Sequence, residues 1–253
     1  MKIEKIEKLK NDKYKIIVNG EEITTYDDLI LKYGILFKKD IDSNLYNNII
    51  KENNYYDIYN DALKFAMKKM RSKKEMSDYL KKSELSLDEQ KDILDKLINV
   101  GVVNDLMFTR AYINDKVLLS KEGIGKIKKG LITNGIDSSI IEKEIANIDK
   151  EEMYNKLYKL IIKKINSNHK YSNTILKNKI INEMIELGYN KDDIISILDN
   201  NVIDDYDILL KEYNKVYTRY SKKLSGGDLE NKIRQILYSK GFKYENIKKE
   251  DLI

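Results

Sequence analysis

RSKKEMSDYLKK, residues 71–82, reads as the start of a helix with its face already sorted. Ser72 stands where a helix N-cap belongs, and Glu75 follows three residues later, the order of a capping box. Met76, Tyr79 and Leu80 then recur at i, i+3 and i+4, which lays an apolar stripe along one side. Arg71, Lys73, Lys74, Lys81 and Lys82 stay cationic around it. A second stretch, GVVNDLMFTRAY at 101–112, ends one helix at Gly101 and opens another at Asn104-Asp105. Phe108, Ala111 and Tyr112 form the inward face of that second helix, and Arg110 stays outside.

The pattern continues as a repeat. Leu131, Gly135, Ile136 and Ile141 share their spacing with Met184, Gly188, Tyr189 and Ile194, and with Leu237, Gly241, Phe242 and Ile247. The period is about fifty residues, and a degenerate copy without the glycine lies around Leu80 and Leu85. Each glycine reads as the residue that ends a helix in the left-handed conformation. Ser86 with Glu89, and Ser139 with Glu142, read as capping boxes for third helices. The expected fold is mainly α, an elongated array of tandem three-helix repeats over 55–100, 101–148, 149–200 and 201–253. Such units cannot bury an apolar face alone and must stack on neighbours.

Residues 1–54 precede the array as a small β-meander with helices. Tyr14, Ile16 and Val18 alternate with Lys15 and Ile17, and Asn19-Gly20 is a type I′ hairpin signal. Ile23 to Thr25 supply the return strand, and Ile3 to Leu9, before a turn at Asn11-Asp12, an outer one. Thr25 with Asp28 is expected to cap a short helix ending near Gly34. A helix through Leu45, Ile49 and Ile50 should break at Asn53-Asn54, before another carrying Ala62, Ala66 and Met70.

In order, Ala62-Leu63, Arg71-Ser72, Glu75-Met76, Leu80, Asn104-Asp105, Phe108, Tyr112, Gly123, Ile127, Leu131 and Gly135-Ile136 resemble the RecX family of recombination regulators. Met76 replaces the family's usual Leu, a volume-conserving change. Thr109 stands where the family usually has Ala, at a close helix contact. The resemblance implies a regulator that binds the groove of RecA–DNA filaments. It would limit filament growth and damp ATP hydrolysis, strand exchange and the coprotease response, without catalytic residues or cofactors of its own. It implies RecA as partner, weak contact with single-stranded DNA, a monomer, and no membrane. Two other readings stay open: a helix-turn-helix transcription factor, since three-helix units resemble that fold, and a scaffold for some other protein.

Composition narrows the chemistry. There is no Cys, so disulfides, thiolate metal sites and Cys nucleophiles are excluded. The lone His169 lies in the polar run NSNHKYSN, which leaves no Ser/His/Asp set. No apolar run approaches the roughly 18–20 residues of a membrane span, and MKIEKIEKLK lacks the apolar core of a signal peptide. A cytoplasmic protein is expected. Lys plus Arg number 47 against 42 Asp plus Glu, a net charge of +5, which permits contact with nucleic acid without demanding it.

The basic candidates for contact with RecA or DNA are Arg71, Lys73, Lys74, Lys81, Lys82, Arg110, Lys126, Lys129, Lys222 and Lys223. Lys126 and Lys129 belong to KEGIGKIKKG at 121–130, which is no Walker A loop, because the required Gly and Ser/Thr positions are unfilled. On a helix, Ile124, Ile127 and Leu131 would face inward and leave these lysines outward. LSGGD at 224–228 reads as a helix start capped by Ser225 with Asp228. Asp204, Asp205 and Asp207 lack the EF-hand order and read as helix caps. Tyr55, Tyr56 and Tyr59 read as core tyrosines before they read as platforms for unpaired bases.

Overall fold

The computed structural model describes residues 1–10, 12–201 and 204–252. Two compact units make up the chain: Met1–Phe108 with Asn134–Ile136, and Thr109–Thr133 with Asp137–Ile253.

In the first unit, β1 (Ile3–Lys8), β2 (Lys13–Val18) and β3 (Glu21–Tyr26) form an antiparallel sheet in that order. Asn19 and Gly20 both have positive φ, 49° and 81°, as a type I′ turn requires. Asn11 of the expected Asn11-Asp12 turn lies outside the described residues. Ile16 and Val18 are buried against Ile30, Ile35, Ile41 and Ile49. Helices α1 (Asp27–Lys32), α2 (Ser43–Met67), α3 (Lys73–Leu80) and α4 (Leu87–Asn99) follow.

Two expectations fail here for identifiable reasons. Thr25 does not cap α1: it pairs with Tyr14 in the sheet and is buried, so Tyr26 precedes the helix without a side-chain cap. α2 does not break at Asn53-Asn54. Asn53 is buried in mid-helix, where its Nδ2 donates to the Thr24 carbonyl at 3.1 Å, so its amide ties helix to sheet instead of competing with the helix backbone.

The Ser72 capping box forms as read. Glu75 N donates to Ser72 Oγ at 3.1 Å, and Ser72 N donates to Glu75 Oε2 at 3.2 Å. The Ser86–Glu89 box forms likewise. Met76 and Leu80 pack with Ala62, Ala66, Ile93 and Leu97. α5 (Asp105–Leu119) starts with Asn104 Oδ1 accepting from Met107 N. Asp105 also accepts from Lys73 N at 2.8 Å, which satisfies one orphan donor at the start of α3.

The second unit carries α6 (Ile124–Thr133), α7 (Ser138–Ala146), α8 (Lys150–Asn166), α9 (Asn173–Glu186), α10 (Lys191–Asp199), α11 (Tyr206–Tyr220) and α12 (Gly226–Ser239). After α12 come 3-10 turns at Tyr244–Asn246 and Lys249–Asp251, where a third helix of the last repeat was expected. The Ser139–Glu142 box does not form. Asp137 caps α7 two residues earlier by accepting from Ser139 N, and Glu142 pairs instead with Lys128.

The repeated glycines end their helices as expected: φ is 74° at Gly135, 88° at Gly188 and 82° at Gly241. Tyr189 N closes onto Met184 O, and Phe242 N onto Leu237 O, the wide loop of a Schellman end. Gly188 and Gly241 also let their helix ends abut the start of an earlier helix. Gly123 N donates to Leu187 O at 2.7 Å and Gly125 N to Gly188 O at 2.9 Å, so the last carbonyls of α9 meet the first amides of α6. Ser172 N donates to Lys240 O at 3.0 Å, joining α12 to α9 in the same way. Backbone donors at one helix start thus meet carbonyls at another helix's end, where the dipole ends have opposite sign. A Cβ at Gly188 would overlap the Lys126 backbone, and one at Gly241 would overlap Ser172 Oγ. Within the first unit, one at Gly135 would sit 2.9 Å from Lys74 Cβ.

Candidate interaction surface

The ten candidate cations differ in how far contacts within the fold engage them. Arg71 lies largely buried, with its guanidinium 3.9 Å from the Phe65 ring centroid and Nη1 3.4 Å from Glu75 Oε1. Phe65 stacks in turn on Tyr79 at 4.2 Å. Arg71 thus acts as a packing residue. Arg110 grips Glu144 with two hydrogen bonds, Nε to Oε2 at 2.9 Å and Nη2 to Oε1 at 3.1 Å. Glu144 is buried, and Arg110 holds its carboxyl below the usual carboxylate range. Losing Arg110 would leave that carboxylate without its counter-charge, although the arginine side chain itself stays 55% exposed. Lys81 pairs with Asp78 at 2.9 Å on an exposed face. Lys74 packs its stem beside Gly135.

Lys73, Lys82, Lys126, Lys129, Lys222 and Lys223 are exposed and make no ion pair among the described residues. On α6, Ile127 and Leu131 are fully buried and Ile124 half-buried, which leaves Lys126 and Lys129 on the solvent side as the spacing implied. Two glycines of KEGIGKIKKG have a packing cause at Gly188: a Cβ at Gly123 would overlap its backbone at 2.7 Å, and one at Gly125 would fit tightly at 3.0 Å from its carbonyl oxygen.

Aligning the helix starts brings out two lysines that sequence reading passed over. Lys121 lies two residues before Gly123, Lys170 two before Ser172, and Lys223 two before Ser225. Gly123 and Ser172 are in register, since Ile127 N donates to Gly123 O as Leu176 N does to Ser172 O. Lys121, Lys170 and Lys223 are all exposed. The repeat period held the signal, once measured from helix starts instead of from the glycines.

Other candidates resolve as structure. Tyr55 donates to Asp92 Oδ2 at 2.5 Å and accepts from Lys96 Nζ at 2.8 Å. Tyr56 stacks on Tyr26 at 5.2 Å, and Tyr59 packs half-buried on the first core. Asp204 accepts from Tyr206 N, and Asp205 accepts from Asn173 N at 2.5 Å, as Asp105 does for α3. No group of three or more His, Cys, Asp or Glu suited to a metal exists among the described residues. Ser225 precedes α12, yet its side chain makes no capping bond, contrary to expectation, because Gly226 turns the backbone at φ 54°. His169 is exposed in the link before α9. No described helix is long and apolar enough to cross a membrane.

No family model matches the chain. Curated relatives do. A regulatory protein RecX of Streptococcus equi subsp. zooepidemicus is 30% identical, covering 98% of this chain and 97% of its own. The chain belongs to the RecX family of regulatory proteins. A RecX of Bacillus mycoides is 28% identical over 96% of this chain and 93% of its own. A crystal structure of regulatory protein RecX shares the fold with a TM-score of 0.67 at 18% identity, over 79% of this chain and 99% of that one. RecX from Lactobacillus salivarius superposes with a TM-score of 0.54 at 26% identity, over 59% of this chain and 97% of that one. Thr109, where the RecX pattern usually has Ala, is fully buried.

Proposed function

We propose that this chain regulates recombination without catalysis, by binding RecA–DNA filaments and restraining filament extension, ATP hydrolysis, strand exchange and coprotease activity. Full-length relatedness to regulatory RecX proteins carries the reading. The unpaired exposed lysines support it, because a nucleoprotein filament is anionic and unpaired cations contribute to its capture. Lys126 and Lys129 are the leading contacts, since their helix is anchored at both its core face and its N-terminus. Arg71 and Arg110 are weaker candidates for contact, because Arg71 packs on Phe65 and Arg110 is already paired with Glu144. Free single-stranded DNA is bound weakly, by charge alone. Cosedimentation with cognate RecA filaments tests the reading. The chain should pellet with the filament and stay in the supernatant with RecA lacking DNA and nucleotide; absence from the filament pellet at equimolar protein rejects it.

A further inference from the structure

Residues 31–39, LKYGILFKK, run from the last turn of α1 through the link that precedes α2, and carry both buried and exposed apolar side chains. Leu29, Ile30 and Ile35 point inward and are essentially fully buried, so the sheet and helices of the first unit have the apolar contacts they need. Leu31, Leu36 and Phe37 are surplus to that core: 71%, 46% and 92% exposed. Scattered surface leucines need no explanation. Two leucines and a nearly bare phenylalanine within seven residues, at the end of α1 and on the turn after it, do, because apolar exposure of this kind marks binding surfaces.

The link is held, not loose. Phe37 N donates to Gly34 O and Lys38 N to Ile35 O, both at 3.1 Å, forming a 3-10 turn at Ile35–Phe37. Ile3 N donates to Lys39 O at 2.9 Å, which fastens the end of the link to β1. Tyr33 Oη donates to Glu52 Oε1 at 2.6 Å, and Lys32 Nζ reaches the same carboxylate at 2.7 Å, which fastens its start to α2. A ring presented on such a turn loses little conformational freedom when it is covered. Lys38 and Lys39 follow directly, exposed and without an ion pair among the described residues.

We propose that Leu31, Leu36 and Phe37 with Lys38 and Lys39 form a docking knob for a protein surface: an apolar recess rimmed by carboxylates, on the RecA component of the filament. This inference rests on the function proposed above and adds a protein contact to the charge-driven one. Charge complementarity assigns the carboxylate rim. The aliphatic side chains beside Phe37 assign the apolar recess, since leucine has no π face on which a base would stack, and buried aromatic anchors dominate protein interfaces.

The test measures binding of labelled wild type, Phe37→Ala and the double variant Lys38→Glu with Lys39→Glu. Each is titrated against RecA filaments on single-stranded DNA and against the same DNA without RecA. Far-ultraviolet circular dichroism melts check folding, which exposed positions should leave unchanged. Phe37→Ala should weaken filament binding at least tenfold and the lysine variant several-fold, with neither altering affinity for bare DNA. Filament binding by Phe37→Ala equal to wild type overturns the knob and leaves the proposed function standing. Equal weakening on bare DNA overturns it in favour of a nucleic-acid surface, and a wild-type dimer that Phe37→Ala dissolves overturns it in favour of a second copy. Wild type that ignores filaments altogether rejects the proposed function, and the knob with it.

Discussion

Substituting Gly188 by Ala should destabilise the second unit far more than the same change at a glycine with equal backbone strain and open space. Two effects add at Gly188. Its φ of 88° is left-handed, which costs an L-residue roughly 1–2 kcal/mol. The new Cβ would also meet the Lys126 backbone, which cannot rotate away as a flexible side chain would. Relief requires the end of α9 to withdraw from the start of α6, breaking the bonds from Gly123 N to Leu187 O and from Gly125 N to Gly188 O. At about 0.5–1.5 kcal/mol per hydrogen bond, the two contribute roughly 1–3 kcal/mol. The expected loss is therefore about 2–5 kcal/mol. Gly226 supplies the control within the same unit: φ is 54°, and nothing lies within 4 Å of the position an added Cβ would take. Gly226→Ala should cost only the conformational share, roughly 1–2 kcal/mol. Urea unfolding followed by circular dichroism at equal m-value compares the two. Equal destabilisation would refute the end-to-end joint as an energetic feature and reduce the repeated glycine to a helix stop.

Three further outcomes follow from particular contacts. Phe108→Ala should destabilise by about 3–5 kcal/mol in denaturant unfolding, since the ring is only 7% exposed; a loss under about 1 kcal/mol would contradict its burial. Glu144 has its carboxyl held down chiefly by hydrogen bonding to Arg110, so its contribution is full above the unfolded carboxyl value of about 4.3 and disappears as pH falls through the lower folded one. Melting temperature should accordingly drop more steeply below about pH 4.3 for wild type than for Glu144→Gln, and parallel curves would contradict the pairing. Binding to single-stranded DNA alone should be weak, with log K falling against log salt at a slope of about −3 to −4 for roughly 4–6 neutralised phosphates; tight binding indifferent to salt would point away from lysine contacts.

Local chemistry made much of the fold legible. Asn19-Gly20, the Ser72–Glu75 and Ser86–Glu89 boxes, and the left-handed glycines at 135, 188 and 241 are decided by residues a few positions apart, and each formed as read. The misreadings share a cause in distant partners. Asn53 looked like a helix break because Thr24, which accepts from its amide, lies 29 residues away. Arg110 is exposed as read, yet its pairing with Glu144 was hidden because that residue lies 34 positions on. Glycine at 188 was read as a stop, correctly, while the reason it admits no larger side chain is an encounter with Lys126 that no local window contains. The exposed face of residues 31–37 was equally hidden, since composition cannot tell a buried Ile35 from a bare Phe37.

Restraint of RecA by contacts from exposed lysines without an ion pair is tested most directly by titrating DNA-dependent ATP hydrolysis of preformed cognate RecA filaments. Wild type should suppress hydrolysis at substoichiometric amounts. Lys126→Glu with Lys129→Glu, both exposed, should fold with less than about 0.5 kcal/mol change in stability and inhibit at least several-fold less well. Undiminished hydrolysis at equimolar wild-type protein would contradict the account.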